Sequence, residues 1–447
     1  MTGRTLCIED LIDEGKMGKR HYLIILLCGL VLFVDGFDTQ CISYAVPHMA
    51  AQWQLKRAEL GPLFSAALIG LMVGFLVVSP LSPRIGHKRL MIASWVVFSL
   101  FTLATAFATN VSEVIAFRFL AGIGLGGAIP SAIALTSEYS PKRFRATAVM
   151  LIYCCYSLGF VASGFVAGAL LSRYHWGSVF LVGGVTPLAL TYLLWKFLPE
   201  SIYFALRKGR TDTVEKLLRR HYPTLPNIRG ARFVNSTTES DRIGVLGLLG
   251  SAERRGTICL WILVFLNLGV FYFIQSWLPT MLHSLKYATD SIVWVTTLTT
   301  IGGFCAAFVI GPLMDRTGPY LTLAALYLGG AASMLWMASS ISAEPKVLMC
   351  AAFAVGFCVS GGQKGTIALA IHFYPTGLRA TGTGWALGMG RLGGILGPLL
   401  AGVLYSAQLS IDEIFRIAAA PVLLGAAVTF VMRWIYSESK RTEAAVT

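Results

Sequence analysis

The run YLIILLCGLVLFVDGFDTQCISYAVPHM, residues 22–49, decides the fold. It is apolar over more than the roughly 20 residues that carry a helix across a bilayer. Yet two carboxylates, Asp35 and Asp38, stand inside it. The length of the run speaks for the architecture, and the acids speak for what the chain does.

Similar runs recur along the chain. Spans are predicted at 22–46, 60–80, 90–108, 112–136, 145–170, 178–198, 257–279, 291–313, 320–340, 347–371, 380–405 and 413–435. Of the 447 residues 55% are hydrophobic and only 13% are charged, where a soluble protein carries about 25% charged. The runs do not alternate apolar with polar residues, which sets aside a closed β-barrel. The expected fold class is an all-α membrane protein with twelve transmembrane helices.

The net charge of +14 raises the question of nucleic acid, and its placement answers it. Basic residues cluster before the first run (Lys16, Lys19, Arg20), after the second (Arg84, Lys88, Arg89) and after the fourth (Lys142, Arg143, Arg145). They also dominate the loop after the sixth, with eleven Lys or Arg against six Asp or Glu. The alternate loops hold few, such as Lys56, Arg57, Arg173 and Lys286. By the positive-inside rule both termini are expected in the cytoplasm, consistent with an even number of spans. The charge needs no nucleic-acid partner.

The polar, acid-containing stretch before residue 22 does not read as a cleavable signal peptide. Nine cysteines are scattered, mostly within spans, without disulfide or metal-ligand spacing. There is no nucleophile–base constellation and no phosphate loop, so no enzyme, cofactor or metal is expected.

Residues 199–256 form the one long polar stretch and divide the chain into two sets of six spans. The expected organisation is a terminal segment 1–21, a bundle 22–198, the central loop 199–256, a second bundle 257–436 and a tail 437–447. The two halves echo each other. SYAVPHM (43–49) matches SWLPTM (276–281), with Pro47 and Pro279 offset by 232 positions. PLSPRIG (80–86) matches PLMDRTG (312–318) at the same offset, and YSPKRFRAT (139–147) matches FYPTGLRAT (373–381) at 234. Three matches in order at nearly one offset point to two parallel six-helix repeats, an arrangement that builds transporters with a site near the bilayer midplane.

At these residues the chain resembles the major facilitator superfamily. The marker between its second and third spans is similar to G-x-L-x-D-R-x-G-R-K, here SPLSPRIGHK (79–88), with Pro83 in place of the aspartate. The second half keeps the acid as Asp315, followed by Arg316. DGFDT (35–39) resembles the D-G-x-D-T motif of the aromatic acid:proton symporter family. FYPTGLRATGTGWALGMGRLGGILG (373–397), WLPTM (277–281), GPLFSAALIG (61–70), RFLAGIGLG (118–126) and LPES (198–201) resemble that family as well. The resemblance implies that Asp35 and Asp38 serve proton-linked uptake and that Arg118 and Arg391 belong to the functional cavity.

The residues themselves allow these roles and bland ones too. A charge at the bilayer centre costs about 2.5–3.5 kcal/mol, so acids kept there are expected to shuttle protons. The alternative is a helix that starts late and leaves both acids near headgroups. Arg118 is either an ion-pair partner or a ligand contact. Arg391, ringed by glycines, is expected to face an anion. Lys364, after Gln363, is expected either to anchor a second substrate carboxylate or ring hydroxyl, or to snorkel to the surface. Trp385 either stacks on a substrate ring or packs on a neighbour. Tyr156 and Gln275 are further polar-tipped candidates, and Asn267 lies opposite Asp35 by the repeat offset. Arg84, Glu138, Arg145, Asp315, Arg316 and Arg379 are expected to latch the halves at the cytoplasmic span ends.

The function these readings favour is proton-coupled import of an aromatic carboxylate of hydroxybenzoate or protocatechuate type, with a diacid left open. The expected setting is a monomer among the lipids of a bacterial inner membrane. A carrier for aliphatic or sugar acids, an efflux antiporter and a transporter-like sensor are the alternatives.

Overall fold

In the computed structural model of the chain, residues 5–223, 228, 231–234, 248, 254–341, 344–374 and 376–446 are described. Arg229 and Arg242 of the basic loop fall outside them, and so does the side chain of Arg379.

Each apolar run folds into a helix because a backbone in lipid must satisfy its own hydrogen bonds. The spans are Lys19–Trp53, Arg57–Ile85, His87–Thr105, Val111–Glu138, Lys142–Leu171, Gly177–Phe197, Arg254–Ser284, Thr289–Thr317, Pro319–Ser340, Pro345–Ala370, Gly382–Ser406 and Ile411–Tyr436, named here first to twelfth. The third is the shortest at 19 residues; at 1.5 Å per residue it still covers about 28 Å, close to the hydrocarbon thickness. The helices outrun the apolar windows because the polar flanks continue the same turns. The chain is therefore an all-α, multi-pass membrane protein.

The helical course is not uniform. The second span contains a π turn at Gly74–Val78 and the tenth contains one at Gly356–Ser360. Gly86 and Gly318, equivalent glycines of the two marker loops, both take positive φ (100° and 84°) before the next helix. An L side chain is strained there, so glycine at both places is a backbone requirement.

By compactness the described chain forms two units. The first comprises Met1–Cys41, Ala66–Val166 and Arg173–Ser240. The second comprises Ile42–Ser65, Ala167–Ser172 and Asp241–Thr447.

In the first unit, helices close on glycine faces. A Cβ at Gly159 would overlap the Phe33 carbonyl, and one at Gly36 would overlap the Tyr156 carbonyl, so the first and fifth spans touch backbone to backbone. Gly70 meets Phe119 and Gly122 meets Ala67 in the same way, joining the second and fourth. The second unit repeats the pattern: Gly393 meets Phe265, and Gly356 meets Thr299. These contacts join the seventh span to the eleventh and the eighth to the tenth. Small residues at helix contacts are how membrane helices gain packing without a hydrophobic driving force.

The first unit also carries a cap outside the spans. Thr5–Cys7 pairs in parallel with Arg232–Val234, setting Leu6 opposite Phe233. The helices Ile8–Glu14, Ile202–Arg207 and Thr211–His221 complete it. Val214, Leu217, Leu218 and His221 fall at i, i+3, i+4 and i+7, so one stripe of the last helix is apolar and turned inward. Ile8, Ile12, Val214, Leu218 and Phe233 are buried. The short strands have no counterpart in the apolar pattern, because three-residue strands leave no period to read.

His221 closes this cap. Its ring lies 4.9 Å from Tyr139 and 6.2 Å from His21. Burial pushes its pKa down to about 4, opposed by the Leu217 carbonyl and reinforced by the positive charges of His21, Arg220 and Arg20. A depressed histidine pKa means the folded cap disfavours the proton. Its contribution to stability is present above pH 6.5 and is lost as pH falls from there toward 4. Amide protection in Thr211–His221, the exchange rate relative to that of an unprotected amide at the same pH, is expected to fall below pH 6 in the wild type and to stay flat in His221→Phe.

Candidate functional site

In the first unit the two acids of the opening run lie in the middle of the first span, away from either end. Asp35 is 7% exposed, Asp38 1% and Arg118 0%. The helix that carries the two acids begins at Lys19, well before either. Asp38 and Arg118 face each other bidentately: Nη1 donates to Oδ1 at 2.6 Å and Nη2 to Oδ2 at 2.7 Å. Nη2 also reaches the Asp38 carbonyl at 3.4 Å. The Arg118 guanidinium lies 5.5 Å from the centre of the Phe180 ring. Its Nε is buried without a hydrogen-bond partner.

Short, paired charge-assisted bonds in an apolar surround are strong and directional. Both Asp38 oxygens are occupied by donors from the guanidinium. Asp35 lies three residues earlier, and Thr39 Oγ1 donates to its Oδ1 at 3.5 Å. Tyr156 is half-buried on the fifth span, its ring 4.9 Å from Phe160.

The second unit holds the other candidates. Arg391 Nη1 donates to the Tyr272 hydroxyl at 3.2 Å. Gln275 lies one turn beyond Tyr272 on the seventh span, buried, with Thr299 Oγ1 and Thr300 Oγ1 each at 3.5 Å. Lys364 Nζ donates to the Gly303 carbonyl, halfway along the eighth span. Helical side chains lean toward the N-terminus, in keeping with the reach of this lysine toward the Gly303 carbonyl. Gln363 beside it is half-buried.

Asn267 is buried, and its Nδ2 donates to the Val359 carbonyl at 3.1 Å. Trp385 is 45% exposed, with its ring 6.1 Å from Trp261. A small cavity of about 10 Å³, room for little more than one water, is lined by residues including Gln275, Thr299, Gly356, Val359 and Ser360. Neither Arg391 nor Lys364 lines it.

The residues named as latches fall into two groups. Glu138 Oε1 accepts from the Ser201 hydroxyl at 2.9 Å, and Arg145 is half-buried, both in the first unit. Arg84, Asp315 and Arg316 are exposed. Glu200 was not singled out from sequence, yet its Oε1 accepts the amides of Lys88 and Ser201 at 2.9 and 3.0 Å. Tyr272 was missed as well. Its signal was its place one turn from Gln275, on the same face.

Among the described residues no group of three His, Cys, Asp or Glu is placed to hold a metal. The polar groups instead lie singly or in pairs inside apolar helices, an arrangement that can bind and release protons and anions.

Comparison with known proteins places these features in a lineage. The family model described as Major Facilitator Superfamily matches residues 28–251 and 260–446. The 4-hydroxybenzoate transporter PcaK of Acinetobacter baylyi is 36% identical over 96% of this chain and 94% of its own. The gallate transporter of Pseudomonas putida is 35% identical over 94% of this chain and 93% of its own. A bacterial homologue of the human lysosomal transporter Spinster, solved inward-facing and unoccupied, shares the fold with a TM-score of 0.73. It is 14% identical and is covered over 97% of its chain and 93% of this one.

Proposed function

The chain belongs to the major facilitator superfamily, and from that premise we propose that it imports an aromatic carboxylate together with protons. Its relatives are transporters, not enzymes. The observation that carries the reading is the pair of buried acids in the first span, one of them locked to Arg118.

Bringing an anion into a cell against an inside-negative potential costs about 2.3 kcal/mol per charge per 100 mV. One proton carried with a monoanion cancels that opposition, and a second lets the potential drive uptake. Protonation at Asp35 or Asp38 would accompany substrate binding, and at Asp38 it would loosen the pair with Arg118. Substrate carboxylate would meet Arg391, and the halves 22–198 and 257–436 would alternate access. The setting is a bacterial inner membrane with both termini in the cytoplasm, and the working unit is a monomer.

Lys364 is read as the residue that takes a second acidic or hydroxyl group on the ring. Lys364→Ala is expected to raise KM for ring diacids and hydroxylated acids about tenfold while leaving unsubstituted benzoate within about threefold. Uptake assays with the two kinds of substrate check this; equal losses for both remove the assignment.

Counterflow tests the function itself. Proteoliposomes loaded with unlabelled benzoate derivatives should draw in labelled 4-hydroxybenzoate, and loading with aliphatic or sugar acids should not. Exchange with aliphatic acids alone would assign the chain to another anion, and ligand binding without exchange would make it a sensor.

A further inference from the structure

Asn267 stands where the repeat puts the counterpart of Asp35, and it does something different there. Its Nδ2 donates to the Val359 carbonyl at 3.1 Å, inside the π turn Gly356–Ser360 of the tenth span. A π turn inserts one residue into the helical ladder and leaves a main-chain carbonyl in need of a donor. In hydrocarbon such a group is costly to leave unmet.

Asn267 is 3% exposed, and its Oδ1 has no hydrogen-bond partner. The amide is therefore held by what its nitrogen does. One turn on, a Cβ at Gly362 would sit 3.2 Å from that same nitrogen, so the tenth span is seated on Asn267 at two successive turns. On another face a Cβ at Gly356 would overlap the Thr299 carbonyl, which fixes the turn against the eighth span.

The extra residue also sets the rotation of everything after it. One residue of α-helix is about 100° of turn, so the helix Gly361–Phe373 presents Gln363 and Lys364 in a direction fixed by the π turn. In the observed rotation the Lys364 ammonium reaches the Gly303 carbonyl. The inner side of the turn, Gly356, Val359 and Ser360, lines the cavity shared with Gln275 and Thr299.

We infer that Asn267 is a positioning residue for substrate selectivity: its carboxamide pins the π turn and so fixes the setting of Gln363 and Lys364, without touching substrate itself. The inference rests on the reading of Lys364 as a substrate contact.

The test uses the full-length protein in proteoliposomes with labelled 4-hydroxybenzoate. Asn267→Leu keeps the bulk and removes the donor. Its KM is expected to rise about tenfold with kcat held within about threefold, and to rise no further when Lys364→Ala is added. Asn267→Asp offers a donor to Val359 only when protonated. It is expected to match the wild type at low pH and Asn267→Leu at high pH, each compared with wild type at the same pH, and it carries the test if Asn267→Leu does not fold. Additive KM effects of Asn267→Leu and Lys364→Ala overturn the inference, as does a fall in kcat at unchanged KM.

Amide exchange separates this from failure of the substrate reading. If the wild type moves no aromatic acid, faster exchange confined to residues 355–364 in Asn267→Leu still supports the positioning role. Unchanged exchange there overturns it.

Discussion

Arg118→Met is expected to leave little folded protein in the membrane, whereas Asp38→Leu combined with Arg118→Met is expected to restore most of it. The pair is bidentate at 2.6 and 2.7 Å, with both side chains 1% exposed. Removing one member of such a pair strands the other charge, at a cost of about 3–5 kcal/mol. Removing both with apolar residues of similar volume is close to neutral, because the desolvation cost disappears with the attraction. The check is the amount of monodisperse protein extracted from membranes, read beside transport. The double variant should be well folded and inactive, which separates what the pair does for stability from what it does for coupling. A double variant that folds and still accumulates substrate would reduce the pair to a structural tie.

The second large effect concerns Asp35. Asp35→Asn is expected to abolish accumulation of labelled substrate against a gradient while leaving counterflow within about threefold of wild type. Asparagine keeps the shape and the capacity to accept from Thr39, which donates to Asp35 Oδ1 at 3.5 Å. What it cannot do is bind and release a proton. Exchange of substrate for substrate needs no net proton movement, so a carrier that has lost only its coupling should still exchange. Loss of both activities to the same degree would mean that Asp35 shapes the substrate site and does not couple it.

The fold was legible in the sequence for a physical reason. Lipid demands long apolar helices, and twelve such runs cannot be hidden by local propensity. The repeat was legible because its marker loops need particular residues, such as the glycines at positions 86 and 318 with positive φ. The ion pair was half legible: Asp38 and Arg118 stood out as charges in apolar runs, but they are 80 positions apart and nothing in either run names the other.

Less of the site could be read where backbone geometry decides. The π turn at Gly356–Ser360 carries no periodicity of its own, so the bond from Asn267 to Val359 had no sequence signal beyond the repeat offset. The contact of Lys364 with the Gly303 carbonyl had no sequence signal either, because span boundaries alone do not say which way a flexible side chain leans. The cap around His221 escaped for a different cause. Its strands pair residues 5–7 with 232–234, a separation that no local pattern reports.

The claim on which the rest depends is that protons and an aromatic anion move together. Purified protein in proteoliposomes, given labelled 4-hydroxybenzoate and an imposed pH difference, acid outside, should concentrate the label. It should release the label when a protonophore collapses the difference, and pH-indicator dye in the lumen should report proton entry with each addition of substrate. Uptake that reaches the same level with and without the pH difference, with no substrate-dependent proton entry, would contradict the account.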